Sequence, residues 1–196
     1  MFAAALAPNH VSVGSTKRQY GFIRVYLYLL EMSIVMAKRT VAGVDHVTLF
    51  TDGACGGNPG PGGWAFILEH PDSGTKKKSS GADPATTNNR MELAAVIEGL
   101  ASLNRRCQVK LVTDSQYVAK GIELWLSKWK SNGWKRNEGG RFVPVRNVDL
   151  WQRLDELLAE HEVRVEHVYG HAGHPENEEC DKMAVDAYKQ LMKSNR

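Results

Sequence analysis

Cysteine is scarce in this chain of 196 residues, which contains only Cys55, Cys107 and Cys180. An odd number of cysteines at wide spacings argues against a disulfide framework and favours a reducing compartment. We therefore expect three unpaired cysteines that pack as small hydrophobic side chains, and a protein of the cytoplasm.

The chain also lacks a long apolar run. Its most apolar stretch, residues 20–36, is short and is interrupted by Arg24 and Glu31, whereas a membrane-spanning helix needs about 20 apolar residues. The run starts late and no small-residue cleavage site follows it, which argues against a signal peptide. A transit peptide is the remaining alternative. We expect no membrane partner.

Broad basicity is absent as well. Five basic residues and one acid give residues 1–40 a charge of +4, which leaves −1 of the chain's +3 for residues 41–196. Net charge alone therefore does not predict nucleic-acid binding, and any basic surface must be local.

The first 43 residues are predicted to be an extension outside the folded domain. The sequence from Met36 to Arg39, Met-Ala-Lys-Arg, resembles a natural bacterial start and lies just before the first strand signal. We predict a misassigned start or a disordered tail at residues 1–43, followed by one folded domain at residues 44–196. The ordinary composition, 42% hydrophobic and 24% charged, favours such a globular domain.

Hydrophobic periodicity predicts the elements of this domain. Alternating, β-branched or aromatic segments predict strands at residues 46–51, 64–69, 75–81, 109–113 and 163–168. Apolar residues at a period of 3.6 predict helices at residues 87–103, 115–130 (broken near Gly121), 150–161 (with Asp149 as N-cap) and 177–193. The polar stretch 132–147 is predicted to be a loop. This order indicates an α/β fold, with one five-stranded mixed sheet (an antiparallel meander plus parallel strands) flanked by helices.

Four carboxylates occupy predicted strand ends and helix starts: Asp52, Glu92, Asp114 and Asp181. Such positions meet at one edge of an α/β sheet. Each carboxylate alone is also compatible with a turn residue, a cap or a partner of the helix dipole. Converging carboxylates repel one another unless cations lie between them, and oxygen ligands suit Mg²⁺ or Mn²⁺. Two such ions can activate a water and stabilise the leaving oxygen of a phosphodiester.

The motifs around these carboxylates resemble those of bacterial type 1 ribonucleases H. The similar stretches run in the family's order from about residue 48 to 192: FTDGACGGNPGPGGWAFIL, TTNNRMELAAVIEGL, TDSQYVAKGIELWLSKWKSNGWK, NVDLWQRLDELL and GHAGHPENEECD. The resemblance implies a ribonuclease H-like fold and an endonuclease that cuts the RNA strand of RNA–DNA hybrids. It implies two Mg²⁺ ions during catalysis, with Mn²⁺ as a substitute, and products with 5′-phosphate and 3′-hydroxyl ends.

Residue by residue, the resemblance implies that the four carboxylates bind the metals and that His171 is a catalytic histidine. Glu178 matches an acidic residue near the metals. His171 lies in a loop between Gly170 and Gly173, where it can relay protons or help to release the cleaved phosphate. A solvent-facing histidine without function is the alternative. A zinc site that includes His174 and Cys180 is a weaker one, since the spacing fits no common zinc pattern.

Substrate contacts are predicted from amides, aromatic residues and lysines. Amide side chains can bind the RNA 2′-hydroxyl without sequence bias, and the resemblance implies that four of them line the groove: Asn58, Asn88, Asn89 and Gln116. The asparagines at 88 and 89 can instead be helix caps. A basic, aromatic protrusion is predicted to grip the DNA strand through Trp125, Trp129, Lys130, Trp134 and Lys135. Partial burial of Trp125 and Trp129 in the core is the alternative.

Two features depart from the family pattern. Members often carry a basic residue just before the Thr-Thr-Asn-Asn run, which helps Thr87 and Asn147 to bind a DNA phosphate, but residues 83–86 contain no cation here. The protrusion at residues 130–132 is also less basic than in some members, and the loop at 137–141 is longer. We therefore expect weaker hybrid affinity.

Three other classes of protein fit the sequence less well. Transposases, integrases and resolvases use acid clusters on the same fold, but they need larger DNA-binding additions than this chain has room for. A catalytically silent hybrid-binding module would require a broken carboxylate set. A structural protein leaves the asparagines and aspartates of the loops unexplained. We expect a monomeric enzyme whose partner is an RNA–DNA hybrid.

Overall fold

The computed structural model describes residues 45–169 and 174–194. The strands of these ranges are β1 (Asp45–Cys55), β2 (Gly60–His70), β3 (Thr75–Thr86), β4 (Cys107–Thr113), β5 (Lys135–Glu138), β6 (Arg141–Pro144) and β7 (Glu162–His167). The α-helices are α1 (Asn88–Ala101), α2 (Gln116–Lys120), α3 (Leu126–Ser131), α4 (Val148–Glu160) and α5 (Pro175–Ser194), with a π-helical turn, Gly121–Trp125, between α2 and α3.

Five strands form the main sheet in the order β3-β2-β1-β4-β7. The first three strands pair antiparallel, whereas β4 runs parallel to both β1 and β7. The predicted mixed sheet, a meander extended by parallel strands, is therefore confirmed. Because β1 and β4 are parallel neighbours, their carboxyl ends meet at one edge of the sheet.

Helices cover both faces of this sheet. On one face, α1 and α4 contribute Leu93, Leu100 and the fully buried Trp151 to a core shared with Leu49 and Leu111 of the strands. On the other face, α5 packs over a smaller cluster, in which its Cys180 and Ala184 contact side chains of β1, β2 and β4. The buried residues of α4 recur every three positions, which explains its amphipathic pattern.

The predicted break in the helix at residues 115–130 corresponds to the π-helical turn that begins at Gly121. A Cβ atom at Gly121 would collide with the indole ring of Trp151. Glycine is therefore required there, because the turn approaches the buried tryptophan too closely for any side chain.

The prediction of a loop at residues 132–147 is wrong. Strands β5 and β6 form a two-stranded antiparallel sheet in which Lys135 pairs with Pro144 and Glu138 with Arg141. Gly139 and Gly140 connect them with φ angles of +57° and +87°. Two consecutive residues with positive φ make the tight turn that hairpins prefer. The Gly139-Gly140 pair was therefore the sequence signal for a hairpin, which the polar composition of this stretch obscured.

Two helix starts also differ from the prediction. Asp149 is not the N-cap of α4, because the helix begins at Val148 and Asn147 precedes it with φ 56° and ψ 36°. The Asp149 carboxylate instead pairs with Arg90 of α1 at 2.7 Å. Helix α5 begins at Pro175, a residue that suits the first helical position because its missing N–H is not needed there.

The three cysteines are free, as expected. Within the described residues, none of the helices is long and apolar enough to span a bilayer. The extension predicted at residues 1–43 and the histidine at position 171 lie outside the described residues.

Candidate active site

One pocket of about 220 Å³, here called the acid pocket, is lined by five acidic side chains. It is lined by Asp52, Gly53, Asn88, Glu92, Asp114, Asn177, Glu178 and Asp181. All four carboxylates predicted from the sequence therefore face the same space, and Glu178 joins them. Their spacing along the chain is wide, so this convergence comes from the strand order and from the helices on both faces of the sheet.

Gly53 brings α1 against the end of β1. A Cβ atom at this position would collide with the backbone nitrogen of Glu92. Because no side chain separates the two backbones, Glu92 of α1 lies beside Asp52 of β1. Asp114 directly follows β4, and its backbone oxygen lies 3.2 Å from Nε2 of His167 at the end of β7.

Hydrogen bonds hold two of the carboxylates. Oδ1 of Asp52 accepts the backbone N–H of Gly53 at 2.7 Å. Oε1 of Glu92 accepts from Nδ2 of Asn88 at 2.9 Å, and its Oε2 accepts from the hydroxyl of Ser115. Glu92 therefore has a donor on each oxygen, whereas Asp52 has one donor in all among the described residues.

Burial and mutual repulsion raise the pKa of both groups. The pKa of Asp52 is raised to about 8, first because burial disfavours the charged form and next because Asp114 repels a second negative charge. Burial raises the pKa of Glu92 to about 6, against the lowering effect of the Ser115 hydrogen bond. A cation in the pocket would favour the ionised form of both groups.

The donor chemistry fits a hard divalent cation. The acidic side chains that line the pocket offer carboxylate oxygens, and Mg²⁺ and Mn²⁺ prefer oxygen ligands. As the side chains stand, no three His, Cys, Asp or Glu residues of the described ranges are grouped closely enough to hold an ion. The zinc alternative has no support in those ranges either, because the Sγ of Cys180 is buried against the backbone oxygen of Phe50.

The amides predicted to read the RNA strand separate into two groups. Asn58, Asn89 and Gln116 are exposed. Asn88 lines the acid pocket, with its amide turned to Glu92. The Asn88 side chain therefore contacts a carboxylate in this structure, although its backbone N–H also approaches Oδ1 of Asn58 at 3.4 Å.

Two of the three aromatic residues of the predicted protrusion, Trp129 and Trp134, are partly core. Partial burial in the core was the alternative for Trp125 and Trp129, and it applies to Trp129, whereas Trp125 is half-buried and is not among the residues that pack on the main core. The Trp129 ring lies 5.3 Å from that of Trp151, and both Trp129 and Trp134 pack on the main core. Trp125 lies 5.6 Å from Trp129, and these two rings line a pocket of about 290 Å³ that also contains Arg136 and Arg146.

The lysines of the protrusion differ in their contacts. Lys135 is exposed, whereas Nζ of Lys130 pairs with Asp155 of α4 at 2.8 Å. The charge of Lys130 is therefore partly compensated.

The two residues predicted for the DNA phosphate lie just before helices. Thr87 precedes α1, and its side chain makes no capping bond. Asn147 precedes α4 in the left-handed conformation and donates from Nδ2 to the Tyr117 hydroxyl at 3.2 Å. Arg90, one turn after Thr87, carries a cation into this region, but both of its terminal nitrogens bind Asp149.

Sequence reasoning missed one residue that lines the acid pocket, Asn177, and one that binds a residue of its lining, Ser115. Ser115 follows Asp114 directly and binds Glu92, and its position before a helix was the available signal. Asn177 lines the pocket with 5% of its surface exposed, and its Oδ1 has no hydrogen-bond partner among the described residues. Its position beside Glu178 in the HPEN motif was the signal there.

Comparison with known proteins gives close sequence relatives. The sequence profile of the family described as RNase H matches residues 44–189. Ribonuclease H from Rhodopirellula baltica is 54% identical over 154 residues, which cover 79% of this chain and 98% of that protein. Ribonuclease HI from Caulobacter vibrioides is 54% identical over 144 residues, which cover 74% and 93%.

Solved structures agree in fold. LC9-RNase H1, described as a type 1 RNase H with the type 2 active-site motif, is 34% identical with a TM-score of 0.66, and the match covers 75% of this chain and 74% of that one. LC11-RNase H1, solved in complex with RNA/DNA hybrid, is 19% identical with a TM-score of 0.57 over 74% and 99%. The second likeness shows the fold alone. The predicted ribonuclease H-like fold is thereby confirmed.

Proposed function

Because the chain belongs to the RNase H family, we propose that it is an endonuclease that hydrolyses the RNA strand of RNA–DNA hybrids. The observation that carries this proposal is the convergence of Asp52, Glu92, Asp114 and Asp181 on one pocket. A relative of the same fold was solved with an RNA/DNA hybrid, which supports the choice of substrate.

The four carboxylates would hold the divalent cations of the family, which we propose to be Mg²⁺, two ions during catalysis, with Mn²⁺ as a substitute. When bound, such ions supply a nucleophilic water and stabilise the leaving oxygen. The proposed products carry 5′-phosphate and 3′-hydroxyl ends. Burial of Asp52 and Glu92 strengthens their attraction for a cation, because little water competes for their charge.

We assign substrate binding to the surfaces beside the pocket. The side chains of Asn58, Asn89 and Gln116 are exposed and can meet 2′-hydroxyl groups. Asn88 would contribute to substrate binding less directly, because its side-chain amide is hydrogen-bonded to Glu92. The role of His171 as proton carrier stays a proposal that rests on the resemblance.

The DNA strand would lie on the other side of the groove. Thr87 and Asn147 are proposed to bind one phosphate, each from a position just before a helix. The aromatic and basic protrusion, Trp125, Trp129, Lys130, Trp134 and Lys135, would contact the backbone beyond it. We further propose that the enzyme acts as a monomer in the cytoplasm; its free cysteines are compatible with a reducing compartment.

The test is hydrolysis of an RNA–DNA duplex labelled on either strand, with Mg²⁺. The wild type should cut the RNA strand only, and Asp52→Asn should lose this activity because it removes a charged ligand. Asp72→Asn is the matched control, since Asp72 is exposed and lies in the turn between β2 and β3. Equal cleavage by Asp52→Asn would refute the assignment, and hybrid binding without any cleavage would indicate a silent binding module.

A further inference from the structure

Ser115 occupies the junction between β4 and α2, directly after Asp114. The residue is 6% exposed. Its backbone N–H donates to the Thr113 hydroxyl at 3.2 Å, and its Oγ accepts the backbone N–H of Val118 at 3.2 Å as the N-cap of α2. Both bonds fix the place of this hydroxyl relative to the Asp114 backbone.

The cap leaves the hydroxyl hydrogen of Ser115 available, since Oγ acts there as an acceptor. This hydrogen is donated to Oε2 of Glu92, which belongs to another helix. On the opposite side of the same carboxylate, Nδ2 of Asn88 donates to Oε1 at 2.9 Å. A carboxylate has about four acceptor sites, so the two bonds orient Glu92 and still leave lone pairs for other ligands.

We propose that Ser115 is a positioning residue, which acts through Glu92 and not on the substrate. Together with Asn88 it fixes the Glu92 carboxylate at the acid pocket and ties it to the segment that carries Asp114. This inference rests on the proposed function, in which Glu92 is a metal ligand. Groups that orient metal ligands typically change metal affinity or activity by about 10- to 100-fold when they are removed.

A contribution to folding must be separated from this role, because loss of an N-cap also destabilises a helix. Glycine is nearly as good an N-cap as serine, so the substitution has little effect on helix stability. Ser115→Gly therefore removes the donor to Glu92 while it nearly preserves the cap. Ser115→Thr retains a hydroxyl for both bonds and serves as the rescue variant.

The experiment measures Mg²⁺ binding to the full chain by titration calorimetry, without nucleic acid, and hybrid hydrolysis as a function of Mg²⁺ concentration. Ser115→Gly should bind Mg²⁺ at least about tenfold more weakly, and high Mg²⁺ should partly restore its kcat while the KM for the hybrid stays constant. Ser115→Thr should stay near the wild type. Ser102→Ala, at the far end of α1 where the hydroxyl binds the backbone oxygen of Gly99, should change neither quantity.

The outcomes distinguish the two proposals. If the wild type binds Mg²⁺ and cleaves the hybrid, and Ser115→Gly does so with unchanged Mg²⁺ dependence, the positioning role is overturned and the proposed function stands. A Ser115→Gly variant that loses stability but not Mg²⁺ affinity also overturns the positioning role, since Ser115 is then a helix cap and nothing more. If the wild type neither binds Mg²⁺ nor cleaves the hybrid, the proposed function falls and this inference falls with it.

Discussion

Replacing Asp52 by asparagine should stabilise the fold when divalent ions are absent. The carboxylate of Asp52 is buried beside Asp114, with further repulsion from Asp181 and Glu92, and its pKa is raised from 3.8 to about 8. The folded state therefore binds a proton at this group far more tightly than the unfolded state does. Asparagine is close in size and carries no charge at any pH, so Asp52→Asn removes the cost of burying the ionised form.

The sign and size of this change in the free energy of unfolding follow from the linkage between proton binding and folding. A raised pKa in the folded state gives a stabilisation that is complete below pH 3.8 and is lost as the pH rises through about 8. Relative to acid pH, the free energy of unfolding at pH 7 is lower by the equivalent of roughly three pKa units, which corresponds to about 4 kcal/mol of lost stability at most. Neighbouring carboxylates share the repulsion, so we expect Asp52→Asn to gain about 1–3 kcal/mol at pH 7 and less than about 1 kcal/mol at pH 4.

Urea denaturation in EDTA, followed by circular dichroism between pH 4 and 9, measures this gain. Asp72→Asn is the control and should match the wild type at every pH, because Asp72 is exposed. Saturating Mg²⁺ should raise the stability of the wild type more than that of Asp52→Asn, since a ligand stabilises the state that binds it. A variant that is no more stable than the wild type at pH 7, or whose gain is independent of pH, would refute the reasoning.

Two further outcomes are expected. Burial lowers the pKa of His161, whose Nδ1 accepts the backbone N–H of Cys107, so its contribution to stability is present above its ordinary pKa of 6.5 and falls as the pH drops below it. His161→Gln should flatten the loss of melting temperature between pH 7 and 5, and an unchanged slope would contradict this. Hybrid binding, measured with the Asp52→Asn protein because we expect it to be inactive, should show a shallower plot of log K against log [salt] than a relative with a basic residue before its Thr-Thr-Asn-Asn run. An equally steep plot would contradict the expected weak binding of the DNA phosphate.

The sheet and the meeting of the acidic residues were predictable from the sequence. Alternation along β1 and β4 identified both strands, and the rule that parallel neighbours end at one edge brought Asp52 and Asp114 together. The predicted helix starts placed Glu92 and Asp181 at the same edge, and the matching profile confirms the family that the surrounding motifs resemble. These features depend on local pattern and on topology, which a single sequence carries.

The contacts that the sequence did not reveal are side-chain pairs whose members lie on different turns or different elements. Asp149 was expected to cap its own helix, but Arg90, 59 positions earlier, takes its carboxylate. Asn88 was expected to face the hybrid and instead donates to Glu92 one helical turn later. Lys130 looked free for a phosphate and pairs with Asp155. Propensity and periodicity contain no information on such partners.

Two carboxylates of the acid pocket, Asp52 and Glu92, differ in their hydrogen bonds and in their pKa values, and this difference affects how the pocket would bind a cation. Donors from Ser115 and Asn88 compensate part of the burial of Glu92, so its pKa stays near 6, whereas Asp52 has only the Gly53 amide among the described residues and reaches about 8. At neutral pH, Glu92 is therefore mostly ionised and oriented, while Asp52 competes for a proton. A cation that enters the pocket would meet the Glu92 carboxylate already ionised and oriented, but it would have to displace a proton from Asp52. The affinity for the ion is therefore limited by Asp52, and the geometry of its binding is limited by Glu92.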